Sequence, residues 1–214
     1  MNHPVTIIGI AGASGAGKSL LATQLHSRIV QQGLGENVTI LHEDYYYRER
    51  NDLTFEQREK INYDHPQALQ HELLIEHLDE LKSGRAVDVP QYDYSQHNRK
   101  SETRTLRPAG IIILEGILIL HEAGLCDRLD LKIFVDVPMD ICLTRRLKRD
   151  IQERGRSLDS VLSQYEQTVR PMYFEFIEPT KQHADLIVPR GGQNRPAVDV
   201  LHSHLQGLAT QSQG

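Results

Sequence analysis

The chain has 214 residues, of which 39% are hydrophobic and 25% charged, enough to bury one full core in a single domain without disulfides or metal and too apolar for a long disordered arm. A formal charge of −5 excludes a generic nucleic-acid binder, whose phosphate contacts need a basic face. Two cysteines, Cys126 and Cys142, lack partners at zinc-site spacing, and the longest apolar run, residues 111–120, is too short to span a membrane.

Residues 1–4 carry no positive region ahead of the apolar stretch 5–13, so a secretory signal is not expected and the expected location is a reducing cytoplasm. β-Branched apolar runs at 5–10, 38–41, 110–114, 131–135 and 185–188 read as buried strands. Helical periodicity fills 19–32, 66–82, 139–153, 158–165, 171–182 and 197–208. Alternation of this kind predicts an α/β fold with a parallel central sheet covered on both faces, a three-layer α/β/α arrangement over residues 1–214.

Directly after the first strand comes Gly12-Ala13-Ser14-Gly15-Ala16-Gly17-Lys18-Ser19, which fits G-x-x-x-x-G-K-[ST] and opens the first helix. Small residues let the backbone wrap a phosphate so that successive N–H groups and the helix N-terminus face the anion. Lys18 then offers a charge to the β and γ phosphates, and the Ser19 hydroxyl is placed to reach Mg²⁺. A Gly-rich turn that merely packs tightly is the competing reading.

The second strand leads into His42-Glu43-Asp44-Tyr45-Tyr46-Tyr47, which puts a carboxylate where open α/β sheets hold ligands. Asp44 is the candidate general base for an acceptor hydroxyl; the alternative is that it caps the next turn. The polar connector 44–60 is longer than a structural turn needs to be. Residues 86–94 alternate apolar and polar and 102–106 follow across a polar connection, so a projecting hairpin is predicted, an insertion at about 86–107. The strand at 111–114 ends in Glu115, a candidate Mg²⁺ carboxylate where Asp is usual.

Further along, Arg145, Arg146, Lys148, Arg149, Arg154 and Arg156 concentrate positive charge in an acidic chain. Helical spacing sets Arg145 and Arg146 on faces shared with Arg149, a repulsion that an anion would relieve. Either this stretch, about 145–165, is a lid closing over a triphosphate, or it is a solvated face paired with Asp150 and Glu153. No guanine-reading Asn-Lys-x-Asp segment occurs, which disfavours a GTPase switch. The tail at 210–214 is expected to fray.

With these residues in place, the chain resembles the uridine-cytidine kinase family from about residue 5 to residue 195. The stretches that carry the resemblance are Glu43-Asp-Tyr-Tyr-Tyr47, Asn62-Tyr-Asp-His-Pro66, Pro90-Gln-Tyr-Asp-Tyr-Ser-Gln-His97, Leu114-Glu-Gly-Ile-Leu118, Arg149-Asp-Ile-Gln-Glu-Arg-Gly-Arg156 and Val188-Pro-Arg-Gly-Gly192. The resemblance implies a P-loop kinase with ATP or GTP as donor, Mg²⁺, and uridine or cytidine as acceptor, in pyrimidine salvage. It implies Asp44 as base and, with Asp64 and Arg146, as grip on the sugar. Tyr92 and His97 are implied as the pyrimidine pocket, with Tyr47, Tyr63, Tyr94, Arg156 and Gln164 around it. Arg149 and Arg154 are implied as donor-side lid residues, and Lys18 and Arg149 as catalytic partners of Asp44. A homotetramer inhibited by CTP or UTP is implied as well. The alternatives are a phosphoribulokinase-like or pantothenate-kinase-like relative with another acceptor pocket, or a non-catalytic nucleotide switch.

Overall fold

The computed structural model describes residues 5–211; residues 1–4, on which the expectation about a leader rests, and the last three residues of the expected frayed tail lie outside them. Strand β1 (Thr6–Gly12) is buried at every position after the first, as a strand with neighbours on both edges must be. Helix α1 (Lys18–Gln31), strand β2 (Val38–His42), short helix α2 (Phe55–Arg58) and helix α3 (His71–Lys82) follow. Then come the hairpin strands β3 (Val87–Asp93) and β4 (Asn98–Leu106), strand β5 (Ile111–Glu115), short helix α4 (Ala123–Cys126) and strand β6 (Leu131–Asp136). Helices α5 (Met139–Gln152), α6 (Leu158–Gln164) and α7 (Arg170–Met172), strand β7 (Leu186–Pro189) and helix α8 (Arg195–Gln211) complete the chain.

Five strands form one parallel sheet in the order β2-β5-β1-β6-β7, with helices on both sides, so the expected three-layer α/β/α architecture holds. In β5, Ile111, Ile112, Ile113 and Leu114 are fully buried. At about 1.5–3 kcal/mol per buried side chain, this strand contributes on the order of 6–12 kcal/mol before chain entropy is subtracted. Register then fixes chemistry: Ile10 of β1 and His42 of β2 both lie opposite Glu115, so the carboxyl ends of three strands meet at one row.

Three expectations need correction. The polar connection of the hairpin is shorter than its composition suggests, because Asn98 to Ser101 already belong to β4 and only the turn at Tyr94 to His97 projects. Residues 66–82 are not one helix: a 3₁₀ turn (Pro66–Ala68) ends in extended backbone at Leu69 before α3 begins. Residues 158–177, by contrast, run on without the predicted break. Wide π turns at Tyr165–Val169 and Tyr173–Ile177 flank α7, where Pro171 has no N–H to give to an ordinary ladder. The predicted helix at 171–182 is therefore a continuation that tightens into a 3₁₀ end at Glu178–His183.

Candidate active site

The loop between β1 and α1 has the backbone that its glycines anticipate. Gly12, Gly15 and Gly17 have φ of 142°, 86° and 93°, where an L side chain is strained. A Cβ on Gly12 would stand 2.5 Å from the Val135 carbonyl oxygen of β6, and one on Gly15 2.5 Å from the Cys142 carbonyl oxygen of α5. The loop is thus pinned against two neighbouring elements. The left-handed Gly17 caps α1 with no side-chain acceptor, and the first turn holds no acidic residue, so its backbone N–H groups stay available to an anion. From the far end of the chain, the 3₁₀ turn Gly191–Gln193 closes over this loop: the Gly192 N–H donates to the Gly17 carbonyl at 3.4 Å, and Gly191 lies against Ala16.

A cavity of about 310 Å³ opens above the loop, lined by Ser14, Gly15, Gly17, Lys18, Ser19, Asp44, Glu115 and Arg149 among others. Gly12, Ala13 and Ala16 stand behind this lining as its support. Lys18 is buried and its Nζ donates to the Ala13 carbonyl at 3.1 Å, so its charge is held at the cavity floor. Glu115 Oε1 accepts the Ser19 hydroxyl at 3.0 Å and meets His42 Nδ1 at 2.7 Å. Burial opposes ionisation of Glu115, but the His42 and Ser19 hydrogen bonds and the Lys18 charge outweigh it and hold its pKa below the usual carboxylate value. An ionised carboxylate beside a hydroxyl is the donor set that a hard divalent cation takes alongside phosphate oxygens, so Ser19 and Glu115 fit Mg²⁺.

Asp44 faces this floor from the 3₁₀ turn Glu43–Tyr46 that follows β2. It does not cap that turn; its Oδ2 accepts the Tyr94 hydroxyl at 3.1 Å, reaching across to the hairpin. Burial first, then the charges of Glu115 and Glu43, raise its pKa to about 6 against the pull of Lys18. Glu43 is itself held in place: it is fully buried, meets His71 Nε2 at 2.7 Å and accepts the Leu118 N–H at 3.0 Å. Burial alone would push His71 down, yet Glu43 holds it above its ordinary pKa.

Beside the cavity lies an aromatic cluster. Tyr63 stacks on His97 at 5.5 Å with 23° between planes, and Tyr47 packs against both Tyr63 (5.2 Å) and Tyr92 (5.0 Å). The Tyr63 hydroxyl donates to the His97 carbonyl at 3.2 Å, and His97 itself sits at the hairpin turn with φ of 47°. Burial keeps the His97 imidazole below its usual pKa and the Tyr47 and Tyr92 phenols above theirs, so all three are neutral. Asp64 is buried nearby; burial raises its pKa while Arg146 and Lys18 oppose the rise.

The cation cluster pairs with Asp150, as the alternative reading expected, but that carboxylate lies in the interior while Lys148 and Arg154 remain exposed. Asp150 is fully buried and is met by Arg149 at 2.8 Å, Arg146 at 3.4 Å, Arg154 at 3.7 Å and Arg156 at 3.8 Å. Arg146 also donates to the Ser14 hydroxyl of the loop at 2.9 Å and to Gln164 at 2.8 Å, and Arg156 bonds the same Gln164 oxygen. Arg154 does not line the cavity; its guanidinium lies 4.9 Å from the Tyr94 ring centre. Sequence reasoning missed Arg145 as a loop residue: it donates to the Ala16 carbonyl at 3.2 Å and to Gln193 at 2.8 Å. It also missed the bonds from His42 and His71 to the two glutamates, partners separated by tens of positions that leave no local signal.

The model of the Phosphoribulokinase / Uridine kinase family matches residues 7–197. Among curated proteins, the uridine kinase of Proteus mirabilis (strain HI4320) is 56% identical over 203 residues, covering 95% of each chain. The uridine kinase of Escherichia coli (strain K12) is 54% identical over 204 residues, covering 95% of this chain and 96% of its own. Among solved structures, a Silicibacter sp. TM1040 protein proposed to be a fructose transport system kinase superposes with a TM-score of 0.69 at 21% identity, covering 87% of this chain and 90% of that one. A Bacillus stearothermophilus protein described as a possible uridine kinase gives 0.58 at 20% identity, covering 86% and 89%. At these identities the two structures speak for the fold alone.

Proposed function

The chain belongs to the Phosphoribulokinase / Uridine kinase family, and from that premise we propose that it is a pyrimidine ribonucleoside kinase, moving the γ-phosphoryl group of ATP or GTP to the 5′-hydroxyl of uridine or cytidine. The observation that carries this reading is Asp44 facing the phosphate loop across one cavity with a pKa of about 6. At neutral pH such a carboxylate is mostly ionised yet basic enough to take a hydroxyl proton. In the reaction the 5′-oxygen forms its bond to the γ-phosphorus as the bond to the β–γ bridging oxygen breaks. The hydroxyl proton goes to Asp44, and UMP or CMP and the nucleoside diphosphate leave. Loop N–H groups and the Lys18 ammonium, turned from the Ala13 carbonyl, hold the phosphates, with Arg149 beside them and Arg154 arriving from the lid.

Ser19 and Glu115 would hold Mg²⁺, which would supply charge neutralisation on the phosphates. Asp64 and Arg146 hold the ribose. The pyrimidine lies against Tyr92 and His97, with Tyr47, Tyr63, Arg156 and Gln164 completing the wall; neutral rings suit a neutral flat base. Pyrimidine salvage, a cytoplasmic location and a homotetramer go with this reading, as does binding of neither nucleic acid nor membrane. Among the described residues no helix is long and apolar enough to cross a membrane. Coupled assay of nucleoside diphosphate release with uridine, cytidine, pantothenate and ribulose 5-phosphate tests the proposal. Turnover with either of the last two and not with the nucleosides would replace it.

A further inference from the structure

Asp150 is buried among four arginines, and its two oxygens do not share them at random. Oδ1 takes Arg149 at 2.8 Å and Arg154 at 3.7 Å, the two arginines assigned above to the donor. Oδ2 faces Arg146 at 3.4 Å and Arg156 at 3.8 Å, the two assigned to the nucleoside. Only the donor-side oxygen makes a hydrogen bond. Asp150 Oδ2 and Arg146 Nε are both buried and both lack a partner of hydrogen-bonding geometry, although they lie 3.4 Å apart. A buried pair left unmade is costly, and a shift of a few tenths of an ångström would join it. The other oxygen of the same carboxylate is bonded to Arg149.

We propose that Asp150 is a positioning residue that couples the two substrate sites. A triphosphate in the cavity draws Arg149 toward its own oxygens and releases Asp150 Oδ1. The carboxylate then settles on Arg146 and Arg156, whose other ends are already tied to Ser14 and to Gln164. Those two guanidiniums stiffen in place for the nucleoside, which therefore binds more tightly to the nucleotide-loaded protein. Linkage makes the effect reciprocal, so bound nucleoside tightens the nucleotide equally. The inference rests on the functional reading above, because the assignment of each arginine pair to a substrate comes from it.

The test is titration calorimetry of uridine into the full chain, with and without a saturating β,γ-imido analogue of ATP and Mg²⁺. The wild-type uridine Kd is expected to fall about tenfold when the analogue is present, within the usual range of coupling. In Asp150→Asn, checked by thermal melt for folding, the ratio of the two constants is expected to lie within about twofold of one. A merely structural role would lower stability and leave that ratio alone. Should Asp150→Asn fail to fold, Arg149→Gln unloads Oδ1 while leaving the carboxylate three cationic partners, and it is expected to lower the ratio by about threefold or more. A wild-type ratio near one, or a ratio unchanged in the folded variant, overturns the coupling while leaving the kinase reading intact. Absence of any uridine binding to the wild type sinks the kinase reading itself.

Discussion

Replacing Asp44 by Asn should make the protein more stable and nearly inactive, and both effects follow from one number. An aspartate that titrates at 3.8 when unfolded and near 6 when folded holds its proton more tightly in the folded state. Its contribution therefore favours folding below pH 3.8 and is lost as pH rises from there through about 6. At neutral pH the ionised group costs up to about 3 kcal/mol, from 1.36 kcal/mol per pKa unit. Asp44 is only partly buried at the mouth of the cavity, so solvent screening brings the expected gain in Asp44→Asn to about 1–2 kcal/mol. For a chain of this size that is a rise of roughly 2–8 °C in Tm. Turnover should fall by about 10² to 10⁴, the range for a lost general base. Differential scanning calorimetry at several pH values reads the first effect and coupled turnover the second. The stability gap should shrink as pH falls below about 6 and close near 3.8, and wild-type kcat/KM for the nucleoside should also fall below about pH 6. A variant that loses activity and melts lower at pH 7 would make Asp44 a structural residue; one with near-normal turnover would end its assignment as base.

Other residues separate the two halves of the site. Lys18→Ala should lower kcat/KM at least about 10²-fold, as for loss of a group that stabilises developing charge, while the circular dichroism spectrum stays native; nucleoside phosphorylation at wild-type rate would refute the loop's role. His97→Ala removes one stacked ring and should raise the nucleoside KM about tenfold with the ATP KM changed less than about twofold, consistent with the worth of an aromatic contact. Equal rises in both constants would move His97 off the acceptor side. Gly15→Ala combines a φ of 86° with a 2.5 Å approach to the Cys142 carbonyl and should cost about 1–3 kcal/mol or more in urea denaturation. An unchanged midpoint would mean that the loop is free to relax.

Local chemistry is what the sequence exposes. The phosphate loop was legible because its glycines, lysine and serine are consecutive and sit between a strand and a helix. The hairpin and the five strands were legible from alternation and apolar runs, but β7, expected to be buried, lies at the sheet edge and leaves Leu186 and Ile187 exposed. Pairings decided by register were not: His42 meets Glu115 only because β2 pairs with β5 in the register that sets the two opposite each other. Nor was Asp150 readable as the centre of the arginines, since the same i, i+4 spacing suits a solvated surface pair and only burial tells the two apart. The break expected between 165 and 171 failed because π turns absorb the missing donor of Pro171 without ending the helix.

The 3₁₀ turn at Gly191–Gln193 rests on a loop synthesised some 170 residues earlier, and Gln193 holds Arg145 against that loop. On a ribosome, then, the amino-terminal segment emerges long before the piece that closes over it. Nascent chains arrested ahead of β7 carry the whole signature Gly12 to Ser19 with one side of its cradle unbuilt. The full cradle is thus completed late in translation, as a property of the finished polypeptide and not of the motif.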